Sequence, residues 1–407
     1  MPRGDPLQTR NGEQVGPTPS GPSQMGAHKS KLELRDDPSG QSEARILLLY
    51  LGRRGAMSRF TLEAMQAAAG VPGLRASVCI SRQNENFDLY SAFGAELVGI
   101  DTFRNHSGAL LSAWRIPLIG RRLAAEIKAR RISAVIDLMP HVWSAALARY
   151  VHKAGAKYLA VAHDAEAHPG DSTSLVKGVT DLALGQADTV ITLSTSVATH
   201  LKTLRKLDQR RLVTLFHPIL SYHNARKRGA RGAGQPLRLL FLGRIMPYKG
   251  LPLFLDMVET LRAKGYAVEA GVFGEGEIGP RGRHVTALGV EVVNRWLTDE
   301  EIGSALERYD LMIVSHVEAS QSGVIAAAFG AGLPVVTTPV GGLPEQVTHG
   351  VDGLVATETS AQALAAAVER IILEPGLYDA LCAGVRQQLD ERSMRRFVDE
   401  CVRLVRD

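Results

Sequence analysis

Residues 318–345 read EASQSGVIAAAFGAGLPVVTTPVGGLPE, and the rhythm of this stretch sets the expectation for the whole chain. Glu318 to Ser322 form a polar loop, Gly323 opens a short helix, Pro334 to Thr338 is a buried strand, and Gly341-Gly342 leads into another helix start. Helix beginnings beside strand ends leave backbone N–H groups and the positive end of the helix dipole facing outward, where an anion can be held. A phosphate-bearing ligand is therefore expected here.

The same alternation extends upstream. Strands are expected at Leu237–Leu242, Val268–Phe273 and Leu311–Ser315, with a helix over Leu251–Lys264 and a capping box in which Thr298 and Glu301 start another. In the first half, the run Arg45 to Leu51 is apolar throughout, as in strands buried on both faces of a parallel sheet, and Ser58 is a candidate N-cap for the helix that follows. Further apolar runs occur at Ala76–Ser81, Ala134–Leu138, Tyr158–Ala162, Thr189–Leu193 and Leu212–Phe216, while the interval 82–116 has no clear reading. Strand alternating with helix is the sequence form of βαβ units. The expected fold is α/β, two Rossmann-like domains facing a central cleft. The expected division is a disordered tail (1–43), a first domain (44–220), a basic Gly-rich linker (221–236), a second domain (237–390) and a C-terminal helix (391–407) packing back on the first.

The 407 residues are 45% hydrophobic and 22% charged, an ordinary balance for a soluble protein. A net charge of +5 suits an acidic substrate or an anionic membrane surface; nucleic acid is not expected as a partner. Cys79, Cys382 and Cys401 are widely spaced, which supports neither a disulfide framework nor a zinc ribbon and fits a cytoplasmic setting. No apolar run reaches the roughly 18 residues of a membrane span, and the N-terminus has no signal-like apolar segment.

Several motifs carry chemistry. Gly243-Arg-Ile-Met-Pro-Tyr-Lys-Gly250 lies between a strand and a helix, so Arg244 and Lys249 could converge on a diphosphate, the one bidentately and the other as a point charge. His163-Asp-Ala-Glu-Ala-His168-Pro-Gly170 ends a strand; its residue types include metal ligands, but the Pro-Gly favours a loop, in which the His-x4-His spacing argues little for a metal. Gly52 and Gly55 allow either close backbone approach to a phosphate or acceptor, or a plain tight turn. Residues 114–131 interleave basic and apolar side chains, which fits an anionic lipid surface or a half-buried helix with a solvated basic face. No G-x-S-x-G and no Walker A motif is present, so serine hydrolase and P-loop readings have no support.

The string LGRIMPYKG, with Gly274-Glu-Gly276 after the next strand and EASQSGV followed by PVVTTPVGGLPE, closely resembles glycosyltransferase family 4 over about residues 237–356. That resemblance implies a GT-B fold and a retaining enzyme using a nucleotide-diphosphate sugar, with a glycan or lipid-linked acceptor. It implies that Arg244 and Lys249 neutralise the leaving diphosphate, and that Gln321, Ser322, Gly323 and Val324 meet the sugar and distal phosphate. Glu318 matches the first acid of an E-x7-E element, His163 becomes a candidate contact to the transferred sugar, and Gly52, Gly55, Gly243, Gly274 and Asn294 join the donor-binding set. The second acid, which in the family holds the ribose hydroxyls, falls at position 326, where this chain has Ala326. With no D-x-D element in the ordered region, neither metal nor cofactor is expected. The expected location is cytoplasmic, with residues 114–131 as the candidate contact with the inner face of the membrane. A GT-B epimerase or hydrolase, and a catalytically silent partner subunit, are the alternative readings.

Overall fold

The computed structural model describes residues 43–103, 108, 111–164, 174–205, 211–222, 234–279 and 282–406. The expected N-terminal tail, most of the linker and the segment from Ala165 to Gly170, with His168, lie outside the described residues.

Two all-parallel sheets make the fold. The first is built from β1 (Ala44–Tyr50), β2 (Leu74–Ser81), β3 (Leu97–Ile100), β4 (Ala134–Asp137), β5 (Lys157–Ala162), β6 (Thr189–Thr192) and β7 (Leu212–Thr214), in the order β3-β2-β1-β4-β5-β6-β7. The second holds β8 (Leu237–Leu242), β9 (Val268–Phe273), β10 (Glu291–Val293), β11 (Leu311–Val314), β12 (Val335–Thr337) and β13 (Gly353–Val355), in the order β10-β9-β8-β11-β12-β13. The continuous apolar runs follow from this arrangement, because successive side chains on one strand enter opposite cores. Ile46, Leu48 and Tyr50 pack with Phe60 and Met65, whereas Leu47, Leu49 and Leu51 pack with Leu123, Ile127 and Leu147. The second sheet repeats the scheme, with Leu239 and Phe241 on one side and Leu240 and Leu242 on the other.

The strand order reverses between β1 and β4 and again between β8 and β11. At such a switch point the two flanking loops leave in opposite directions and open a crevice at the carboxyl edge of the sheet. In the second sheet those loops are 243–250 and 315–322, the two segments the sequence marks for an anion.

The last helix, Met394–Arg406, carries Met394, Phe397, Val398, Cys401, Val402 and Val405 on one face. These six side chains are buried in the first sheet's core, where the Phe397 ring meets Phe60 edge-on at 5.4 Å. All three cysteines are buried free thiols. Among the described residues no helix is long and apolar enough to cross a membrane.

Three local expectations need comment. The Thr298–Glu301 capping box forms as expected and starts the helix Asp299–Arg308. Ser58 is not an N-cap: the helix Ala56–Ala69 starts earlier, after Gly55 at φ 98°, and Ser58 is fully buried with its Oγ donating to Asn84 Oδ1 at 2.8 Å. The positive φ of Gly55 makes the entry turn by backbone conformation alone, so no side-chain cap is used. The helix start after Gly341-Gly342 is the single turn Leu343–Gln346, four residues long, and Val347 is already extended. The anion expected at this second helix start therefore has a single turn of peptide groups behind it. The unread interval 82–116 contains a 3-10 segment Phe87–Glu96 and β3, and it leads into the helix Ile116–Arg130.

Candidate active site

The crevice at the second switch point is a cavity of about 250 Å³ between the two halves. Its charged end is formed by Gly243, Arg244, Lys249 and Gly274, facing Gly323 and Val324 at the start of the helix Gly323–Gly330. Gly274 sits at φ 147°, and a Cβ there would lie 2.0 Å from Gly243 O, so the loops after β8 and β9 touch backbone to backbone. That contact holds the 243–250 loop against the cavity. Lys249 Nζ donates to His316 Nε2 at 3.0 Å and lies over the Tyr248 ring at 5.3 Å. Ser315 Oγ binds the carbonyl of Gly250 at 3.0 Å, which ties the two loops together. The ammonium is thus held in place at the mouth of a helix whose first N–H groups have no intrahelical partner.

Arg244, Lys249, Gly55, Gly243, Gly274, Gly323 and Val324 line this cavity; the other sequence-marked residues are placed around it. Gln321 Nε2 donates to His163 Nδ1 at 2.8 Å, and His163 Nε2 donates in turn to Leu138 O at 2.8 Å. Burial lowers the pKa of His163, which keeps the ring neutral and suits this donor–acceptor pairing. Both ring nitrogens are therefore engaged, and His163 holds Gln321 across the cleft. Gln321 Oε1 and Ser322 Oγ are buried and have no hydrogen-bond partner among the described residues. Glu318 is exposed at the tip of its loop and does not line the cavity. Asn294 Oδ1 accepts from Gly276 N at 3.1 Å and so shapes the 274–276 loop. Gly52 is explained by packing, since a Cβ would meet the Tyr50 hydroxyl at 2.3 Å.

Position 326 is not the helix position that matters. Ala326 is 3% exposed and packs into the core beside Leu220, whose N–H it accepts at 3.2 Å. Gly323, Val324 and Ala327 are the residues of this helix that line the cavity. A helix advances about 100° per residue, so 323 and 327 share a face and 326 is turned away. The side chain facing the cavity is also alanine.

The sequence reading missed the rest of the lining. Leu242, Leu297, Ile302 and Ala327 make an apolar shelf, flanked by Trp296, Tyr222, Glu85 and Asp299. Arg54 lies over the Trp296 ring at 5.7 Å, and Glu85 Oε1 accepts from Gly55 N at 2.8 Å. Burial raises the pKa of Asp299, against the lowering influence of Arg59. The signal that could have found Asp299 was present: the capping box fixes it as the first residue of its helix. Among the described residues, the grouping with metal-ligand spacing is Asp256, Glu259 and His284, none of which lines the cavity.

Residues 236–374 match the family Glycosyl transferases group 1, which covers the second sheet and both loops of the charged end. Amylovoran biosynthesis glycosyltransferase AmsK of Erwinia amylovora is 30% identical over 148 residues, 34% of this chain and 36% of that protein. The chain matches this and other curated relatives over less than half of their own length. Among solved structures, a glycosyltransferase from Rickettsia africae superposes with a TM-score of 0.66 at 16% identity, over 90% of this chain and 99% of that one. HepE of Anabaena in complex with UDP and glucose gives 0.66 at 16% identity, over 88% and 97%. The fold is GT-B.

Proposed function

We propose that the protein is a retaining glycosyltransferase that moves a sugar from a nucleotide-diphosphate sugar to a hydroxyl of a glycan or lipid-linked acceptor. The observation that carries this reading is the charged end of the cavity, where Arg244 and Lys249 face the N–H groups opening the Gly323 helix. As the bond from the anomeric carbon to the diphosphate oxygen breaks, negative charge grows on the leaving group. Fixed cations and aligned N–H groups stabilise that charge more than they stabilise the bound donor. The acceptor hydroxyl then attacks the face the diphosphate vacates and gives its proton to the departing diphosphate oxygen, which retains configuration. The buried, unpartnered Gln321 Oε1 and Ser322 Oγ fit hydroxyls of the transferred sugar. In this reading no divalent ion is needed at the diphosphate, since Arg and Lys supply the charge. That HepE was solved with UDP and glucose, and that AmsK is named an amylovoran biosynthesis glycosyltransferase, support the same class.

The test is incubation with UDP-, GDP- and ADP-sugars, following release of nucleoside diphosphate and the anomeric configuration of the product by NMR. Slow release without acceptor, with retention on transfer, is expected. A chemically changed sugar would identify an epimerase instead, and failure of every nucleotide to raise Tm would identify a silent partner subunit.

The acceptor side favours a lipid surface. Leu111, Trp114 and Leu118 are 76%, 75% and 65% exposed, at helical spacing around the start of the Ile116–Arg130 helix, with Arg121, Arg122 and Lys128 exposed further along it. Interfacial helices join an apolar edge to a basic face in this way, and the reading places the enzyme at the inner face of the membrane. Trp114→Ser should weaken co-sedimentation with phosphatidylglycerol vesicles by roughly 5- to 10-fold, and no sedimentation of the unaltered protein would remove the membrane from the proposal.

A further inference from the structure

The cavity lining joins the cations Arg244 and Lys249 to the apolar side chains Leu242, Leu297 and Ile302, and the helix Gly323–Gly330 presents only Gly323, Val324 and Ala327 to it. None of those side chains can accept a hydrogen bond. A nucleoside diphosphate laid along the cavity would bring two donor hydroxyls, those of its ribose, to a wall that the helix leaves apolar.

Three carboxylates line the cavity, Glu85, Glu275 and Asp299, and among them Asp299 alone has a buried side-chain oxygen without a hydrogen-bond partner among the described residues. Asp299 Oδ2 is buried and has no hydrogen-bond partner among the described residues; its nearest cation, Arg59 Nη1, is 3.8 Å away, beyond hydrogen-bond reach. Glu85, by contrast, is already engaged by Gly55 N. The capping box fixes Asp299 at the first turn of its helix, beside Leu297 and Ile302 of the shelf. An ionised carboxylate only accepts, and its two oxygens match the spacing of a cis-diol. A pyrimidine base edge suits it less, because each donor there is flanked by acceptors.

Resting on the nucleotide-sugar reading, we infer that Asp299 accepts the vicinal ribose hydroxyls of the donor nucleotide and fixes the nucleoside in the cavity.

Calorimetric titration separates this inference from the reading beneath it. UDP, GDP and ADP, their 2′-deoxy counterparts and pyrophosphate are titrated into the full-length protein, Asp299→Asn and Asp299→Ala, with circular dichroism to confirm folding. For whichever ribonucleotide binds, affinity should fall about 10- to 100-fold in both variants, the range for a hydrogen bond to a charged group. The deoxynucleotide keeps only its 3′-hydroxyl, so it should bind the unaltered protein more weakly than the ribonucleotide and lose less on substitution, and pyrophosphate affinity should not change. Equal affinity of Asp299→Ala and the unaltered protein for the ribonucleotide would overturn the inference and leave the glycosyltransferase reading standing. So would equal losses for ribo- and deoxynucleotides, or a loss confined to GDP, which would assign Asp299 to the base. No binding of any nucleotide to the unaltered protein would overturn the reading itself, and this inference with it.

Discussion

Lys249 is the residue on which the proposed chemistry is most exposed to test. Its ammonium is held between His316 Nε2 and the Tyr248 ring, so it is pre-placed before any ligand arrives. Lys249→Ala should lower turnover of an identified donor by roughly 10²- to 10³-fold, as removal of a single oxyanion donor does. The fold should survive, because the residue is only partly buried and loses about one hydrogen bond. Unchanged turnover would take Lys249 out of the mechanism. Its position was legible because Gly, Pro and two cations within one short loop constrain each other locally. His163 was half legible: its place at the end of β5 follows from the apolar run, but its engagement by Leu138 O and Gln321 depends on residues 25 and 158 positions away. Ala326 illustrates the finest limit. Whether 326 or 327 faces the cavity turns on a single residue of helical phase, which is set by where the loop ends and not by the alanines themselves.

At the level of elements, capping separates what is local from what is not. Thr298 and Glu301 satisfy each other within one turn, and the pattern could be read directly. The helix Thr195–Arg205 is different. Ser194 Oγ accepts from Val197 N at 3.2 Å, but the N–H groups of Thr195 and Ser196 are taken by Glu345 Oε2 and Oε1 at 2.6 and 2.8 Å. Glu345 belongs to the other half of the molecule, 150 residues on, and Ser194 Oγ also donates to Ser320 O at 3.1 Å. The contact therefore joins the first half to the loop that carries Gln321 and Ser322. Glu345→Ala should cost about 1 kcal/mol, the worth of a cap, and speed amide exchange at Thr195 and Ser196. Unaltered exchange at those two amides would mean that the halves do not meet there in solution. No inspection of residues 195–205 alone could have supplied this cap.

For the whole molecule, the two-sheet plan was legible because most strands are dominated by an apolar run and most helices by a periodic pattern. The short strands β3, β10 and β13 were not read, and the cleft was legible through its glycines and cations while its apolar wall was missed, because Leu242, Leu297 and Ile302 come from separate segments. The last helix completes the first core, with Phe397 only 1% exposed against Phe60 and Phe216. Phe397→Ala should therefore destabilise the protein by about 3–5 kcal/mol in urea titration, and a loss below about 1 kcal/mol would show that the helix is undocked in solution. The same helix imposes an order on synthesis. Arg395 donates to Gly70 O, a residue 325 positions earlier. At about 5–20 residues per second, the face of the first half carrying Phe60 and Met65 leaves the ribosome some tens of seconds before its cover is made. Through that interval the nascent chain presents an open apolar face, so the most dangerous moment for this protein falls before the codons of residues 394–406 are read.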